Sequence, residues 1–164
     1  MTDGYRIRAA TREDADLLVA FTIREALDAE GVMLNADGVA RGVASALEDP
    51  SLARYWVAES PDGRVVASVS VTTEWSNFYG GHYWWVQSLF VGAEHRGRGL
   101  VDRLLDHLAR TAADAGALDL RLYAHEGNAR ARHVYDRCGF TRAPYVLMRR
   151  RLTTARGTAG SPES

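Results

Sequence analysis

Residues 94–110 read EHRGRGLVDRLLDHLAR, two glycines set among arginines and then leucines at helical spacing. Leu100, Leu104, Leu105 and Leu108 mark one apolar side of a helix that should stop at Gly116. Upstream, HYWWVQSLFV at 82–91 is apolar on both alternating faces, the pattern of a strand covered on both sides near the centre of a sheet. Downstream, LDLRLYAH at 118–125 returns as a strand. Strand, loop, helix and strand make a βαβ crossover, which sets the class as α/β (α+β) with a mixed sheet. In such a crossover the backbone N–H groups of residues 96–101 lie at the positive end of a helix dipole, and Gly97 and Gly99 permit positive φ. The loop reads either as a cradle for an anion, with phosphate as its natural occupant, or as a turn that its glycines merely shape with Arg96 and Arg98 solvated.

The rest of the chain extends this pattern in both directions. YRIRAA at 5–10 alternates as a short strand, and Thr11 opens a helix with Leu17, Leu18, Phe21, Ile23 and Leu27 on its apolar side, ending near Gly31. A second helix is expected between Asn35 and Leu47. ARYWVAES at 53–60 and RVVASVSVTTEW at 64–75 flank the turn residues PDG and should pair as an antiparallel hairpin. After the crossover, NARARHVYDRCGF at 128–140 reads as a short helix, with Asn128 suited to its N-cap and Gly139 to its stop. PYVLMRRRL at 144–152 reads as a last strand. The expectation is one domain over residues 1–152, a sheet of six to seven strands flanked by about four helices, and a frayed tail at 153–164.

Composition excludes several functions. The 164 residues carry a net charge of -1, so no basic field is offered to nucleic acid. No apolar run is long enough to span a bilayer and the N-terminus lacks a secretory layout, so a cytoplasmic location with no membrane partner is expected. The lone Cys138 provides no disulfide framework and no thiol cluster for a metal.

The glycine loop is matched by a second motif. Arg96, Gly97, Arg98, Gly99, Leu100 and Val101 follow a strand and open a helix; Asn128, Tyr135, Gly139 and Phe140 follow at set distances. Together with the order of elements over nearly the whole chain, these residues resemble the GNAT superfamily of N-acetyltransferases. The resemblance implies a GNAT-like domain with splayed central parallel strands, and acetyl-CoA as acyl donor with its pyrophosphate on the amides of 96–101. It also implies that the backbone of Leu89, Phe90 and Val91 pairs with the pantetheine arm, and that the Leu89 N–H faces the thioester oxygen. Val101 stands where the family usually shows Gly or Ala. Tyr135 then fits the proton donor to the departing thiolate. Asn128 serves the pantetheine, the helix N-cap, or both.

The base is less determined. Some members of the family place a glutamate on the central strand, where this chain has Trp85. Glu74 is the first choice, with His82, His125 or an ordered water as alternatives. Trp75, Phe78, Tyr79, Tyr83, Trp84 and Trp85 crowd one hairpin, as core, as a homodimer surface, or as part of an acceptor pocket shared with Phe21, Glu25 or Asp28. Cys138 is read as a small buried residue, and Arg149, Arg150 and Arg151 as solvated. The function expected is acyl transfer from acetyl-CoA to a primary amine of a small molecule or peptide. The alternative is a catalytically weak acyl-CoA-binding or sensory module on the same fold.

Overall fold

The computed structural model describes residues 4–152, and the tail expected at 153–164 lies outside them. In chain order the elements are β1 (Arg6–Ala9), α1 (Ala15–Glu30), α2 (Ala36–Glu48), β2 (Arg54–Glu59), β3 (Val65–Ser76), β4 (Gly81–Val91), α3 (Leu100–Asp114), β5 (Asp119–Leu122) and α4 (Ala129–Arg137). The strands form one five-stranded sheet in the order β1-β2-β3-β4-β5. Neighbours are antiparallel except β4 and β5, which run parallel because α3 carries the chain back over the sheet between them.

Each face of the sheet is closed by helices whose apolar stripe matches it. Leu100, Leu104, Leu105, Leu108 and Ala112 of α3 pack with Trp56, Val69, Trp84 and Val86 on one side. Leu18 of α1 and Val43 of α2 meet Val57 on the other. Before α1, a single 3-10 turn at Arg12–Asp14 is tied to β1: Asp14 takes two hydrogen bonds from Arg8, at 2.7 and 2.9 Å, and one from the Thr11 amide at 2.7 Å. These bonds, led by those from Arg8, hold the buried Asp14 carboxyl below its usual pKa.

Three expectations need correction. The sheet has five strands among the described residues, not six to seven. The missing one is 144–152, which joins no ladder and leaves Tyr145, Val146, Leu147 and Met148 between 70% and 88% exposed. An alternating pattern makes a strand only where a neighbouring edge supplies partners, and none is paired with this segment. Second, β4 is next to the edge, and only its C-terminal end, at Phe90 and Val91, is buried on both faces. Third, Leu17 and Leu27 of α1 face solvent, at 43% and 42% exposure, so the apolar stripe of that helix is narrower than its composition suggests.

Two irregularities coincide on β4. Ser70 pairs with Ser88 but Val71 with Val86, so Gln87 is an extra, unopposed residue. The pairing of β4 with β5 ends at Val86 and Leu122. Beyond that point β4 runs on through Val91 without a β5 partner, and the two parallel strands splay.

Candidate active site

The splay leaves backbone groups of β4 facing a cleft instead of a strand. Leu89 pairs with Val69 on one side, and on the other its N–H donates to Oε1 of Glu25 on α1 at 2.9 Å. The cleft, about 200 Å³, is lined by Glu25, Val86, Gln87, Tyr123, His125, Asn128 and Tyr135 among others. A smaller recess continuing from it reaches Ser88 and Leu89. Tyr135 is set by α4, where its ring meets Phe140 at 6.0 Å and packs on the α3 side of the core. Burial, then the charge of Glu25, then Cys138, raise the pKa of the Tyr135 phenol, so it is a protonated donor at neutral pH.

Glu25 is the titrating group of the cleft. Burial pushes its carboxyl up to about 6, the Leu89 amide opposes this, and the charge of Glu30 adds to it. An acid with that pKa is divided between its two forms near neutral pH, as acid–base chemistry requires. Sequence reading placed Glu25 only in an acceptor pocket; the signal for more would have been its position one turn after Phe21, whose ring stacks on Phe90 at 4.6 Å.

At the other end of the splay lies the glycine loop. Gly97 and Gly99 have φ of +73° and +71°, the left-handed region that side chains resist. Gly99 is the N-cap of α3, so the amides that follow it have no acceptor within the helix. The loop is pinned on both flanks: His95 Nδ1 lies 2.8 Å from the Tyr5 hydroxyl, and Arg96 donates to the Val91 carbonyl at 2.9 Å and to Asp28 of α1 at 3.0 Å. Arg98 is exposed. Val101, in the first turn of α3, is partly buried and packs against the core.

A model of the acetyltransferase (GNAT) family matches residues 19–140. The chain belongs to the GNAT acetyltransferase family. A possible acetyltransferase from Clostridium difficile 630 is 27% identical, with a TM-score of 0.86 over 93% of this chain and 100% of that one. An integron cassette protein from the mobile metagenome of Cole Harbour Salt Marsh is 26% identical, with a TM-score of 0.78 over 90% and 91%. A predicted acetyltransferase from Clostridium acetobutylicum, solved with acetyl-CoA, shares the fold at 22% identity and a TM-score of 0.74, over 89% and 96%. No curated protein matches. Family membership makes this chain an acyltransferase by descent, and the Leu89 amide of β4, bonded to a side chain rather than to a neighbouring strand, with the glycine loop fits an acyl-CoA donor.

The structure places most of the residues singled out in the sequence along β4, the glycine loop and the cleft. Leu89, Phe90 and Val91 lie on the splayed edge, Arg96 to Gly99 form the loop and Leu100 and Val101 open α3, and Tyr135 and Asn128 share the cleft. Asn128 is the N-cap of α4, accepting from the Ala131 amide at 3.0 Å. Glu74 is not brought to the cleft: it pairs with Tyr83, and its carboxylate accepts from the Trp85 indole at 2.6 Å. Glu74 is accordingly absent from the residues that line the cleft and its recess at Leu89. His82 is edge-on to Trp75, and His125, although it lines the cleft, uses Nδ1 to accept from the Gly127 amide. Cys138 is pushed up to about 11, by burial and then by the Asp102 carboxylate, which leaves it a thiol at neutral pH. Among the described residues no helix is long and apolar enough to cross a membrane, and no cluster of side chains is arranged to hold a metal.

Proposed function

We propose that this GNAT protein transfers an acetyl group from acetyl-CoA directly to the primary amine of a small molecule or peptide. The observation that carries the reading is the Leu89 N–H, which donates to Glu25 on the edge of β4 beyond its pairing with β5, in a recess that Tyr135 also lines. Acetyl-CoA, when bound, supplies an acyl group activated as a thioester. Leu89 N–H polarises its oxygen where negative charge grows, the amides after Gly97 and Gly99 hold its pyrophosphate, and Tyr135 protonates the sulfur that leaves. The aromatic wall supports an amine with an apolar body: Tyr123 stacks on Trp85 at 4.6 Å and 16°, 59% exposed, at the rim of the cleft that also holds Glu25.

Titration with acetyl-CoA by calorimetry tests this. Saturable one-to-one binding is expected, and Gly99→Glu should abolish it, because a carboxylate at the cradle repels pyrophosphate and a side chain at positive φ costs about 1 kcal/mol or more. Circular dichroism confirms that the variant is folded. Binding without turnover on a broad amine panel would favour the sensory alternative, and no binding would remove both. A homodimer is also proposed. The exposed side chains of Tyr145 to Met148, and of Trp75, Phe78 and Tyr79, supply apolar surface for it. Light scattering should read twice the monomer mass, and a concentration-independent monomer would exclude it.

A further inference from the structure

We propose that Glu25 is the base that deprotonates the acceptor amine, and that in the free protein its carboxylate is parked on the Leu89 amide, the donor reserved for the thioester oxygen. The inference rests on the transferase reading and adds to it a residue and an order of events.

One face of α1 follows the whole length of the donor site. Phe21 stacks on Phe90, Glu25 accepts from Leu89 N–H at 2.9 Å, and Asp28 accepts from Arg96 of the glycine loop at 3.0 Å. The carboxylate of Glu25 thus occupies the position that an acyl oxygen must take, and a single N–H directed at the cleft serves one acceptor well. The two are mutually exclusive. A thioester seated on Leu89 displaces Glu25, which then has a carboxylate without its donor in the cleft that it shares with Tyr135. The base is released only when there is an acyl group to attack, and an amine entering alone meets a carboxylate already engaged.

The groups that face Glu25 suit this role. Glu30 on its own helix raises its pKa, Tyr135 on α4 and Tyr55 on β2 feel its charge, and His125 lines the same cleft. The protons balance. Glu25 takes one proton from the ammonium form of the acceptor and returns it to solvent. The neutral amine forms the C–N bond, the C–S bond breaks, and the second nitrogen proton passes through the Tyr135 hydroxyl to the thiolate. The products are the amide and the free thiol.

The test compares wild type with Glu25→Gln, which preserves size and can still accept from Leu89. The first readout is binding of acetyl-CoA, measured in buffers of different ionisation enthalpy at pH 6.5. Displacing the carboxylate removes the hydrogen bond that holds its pKa down, so wild type should take up a fraction of a proton on binding and Glu25→Gln none. Affinity should be unchanged or up to about tenfold tighter in the variant, since a neutral amide is more easily displaced than a carboxylate. The second readout is turnover with 2-phenylethylamine and with a short peptide bearing a free N-terminus. Here kcat should fall by about 100-fold, and the wild-type rise in kcat with pH, displaced above the free-protein value of about 6 once the Leu89 hydrogen bond is lost, should vanish. Absence of proton uptake in wild type, or equal loss of affinity and rate in Glu25→Gln, would overturn the proposal and leave Glu25 a brace for α1. Failure of wild type to bind acetyl-CoA would instead overturn the transferase reading on which it rests.

Discussion

Tyr135→Phe is expected to lower kcat by about 100-fold while leaving the Kd for acetyl-CoA within about threefold, the range that general-acid catalysis by one side chain commands. The argument is geometric. The aromatic ring of Tyr135 packs against the α3 side of the core and meets Phe140 edge-on, and phenylalanine preserves both contacts. Only the hydroxyl is lost. Tyr135 lines the cleft that contains Glu25, and the raised pKa of its phenol keeps it protonated and able to donate through the neutral range. If the phenol gives its proton to the departing thiolate, the loss falls on the chemical step and leaves donor binding intact. Steady-state kinetics with saturating acetyl-CoA, paired with calorimetry, separate the two. An unchanged kcat would assign the proton to solvent and leave Tyr135 a packing residue. Equal losses in kcat and affinity would mean that the hydroxyl binds the donor in the ground state.

Leu104→Ala should destabilise the protein by about 3 to 4 kcal/mol, a cost typical of a cavity in a core that cannot collapse. Leu104 is 0% exposed in the middle of α3 and stands among residues from both the helix and the sheet. In a domain of this size the loss corresponds to a fall in Tm of about 10 °C. Leu17→Ala is the informative partner, because both are leucines on helices that the sequence marks as core-facing. Leu17 is 43% exposed, so its replacement should cost well under 1 kcal/mol. Thermal or urea denaturation of the two variants measures the difference. Similar losses at both positions would mean that Leu17 is covered in solution, and the apolar surface of α1 would then need an occupant.

The same contrast shows what residue patterns convey. Leu100, Leu104, Leu105 and Leu108 are read correctly from spacing alone, since α3 lies across the sheet along its full length and every leucine of the stripe is covered. The stripe of α1 is overestimated at Leu17 and Leu27 because spacing defines a face but not how much of it a neighbour reaches. The segment at 144–152 fails as a strand for a related reason: alternation is a local property, whereas a ladder needs an edge supplied by another part of the chain.

For the site, the sequence alone determined the backbone devices. Two glycines at the mouth of a helix permit the left-handed φ that other residues resist, and both adopt it here. The order of strand, loop, helix and strand likewise determined the parallel pair, and with it the family resemblance carried by Arg96 to Val101 and by Asn128 to Phe140. Only the tertiary structure decided which carboxylate meets the splayed strand. Glu74 and Glu25 are equally plain in the sequence, and Glu74 is nearer in chain order to Leu89. A bulge at Gln87 and the early end of the β4–β5 ladder open the strand at Leu89, α1 lays Glu25 on that amide, and the antiparallel register draws Glu74 off to the Trp85 indole. Register and helix docking are properties of chain segments far apart in sequence, and it is their meeting, rather than any local pattern, that places a titrating group beside a reactive one.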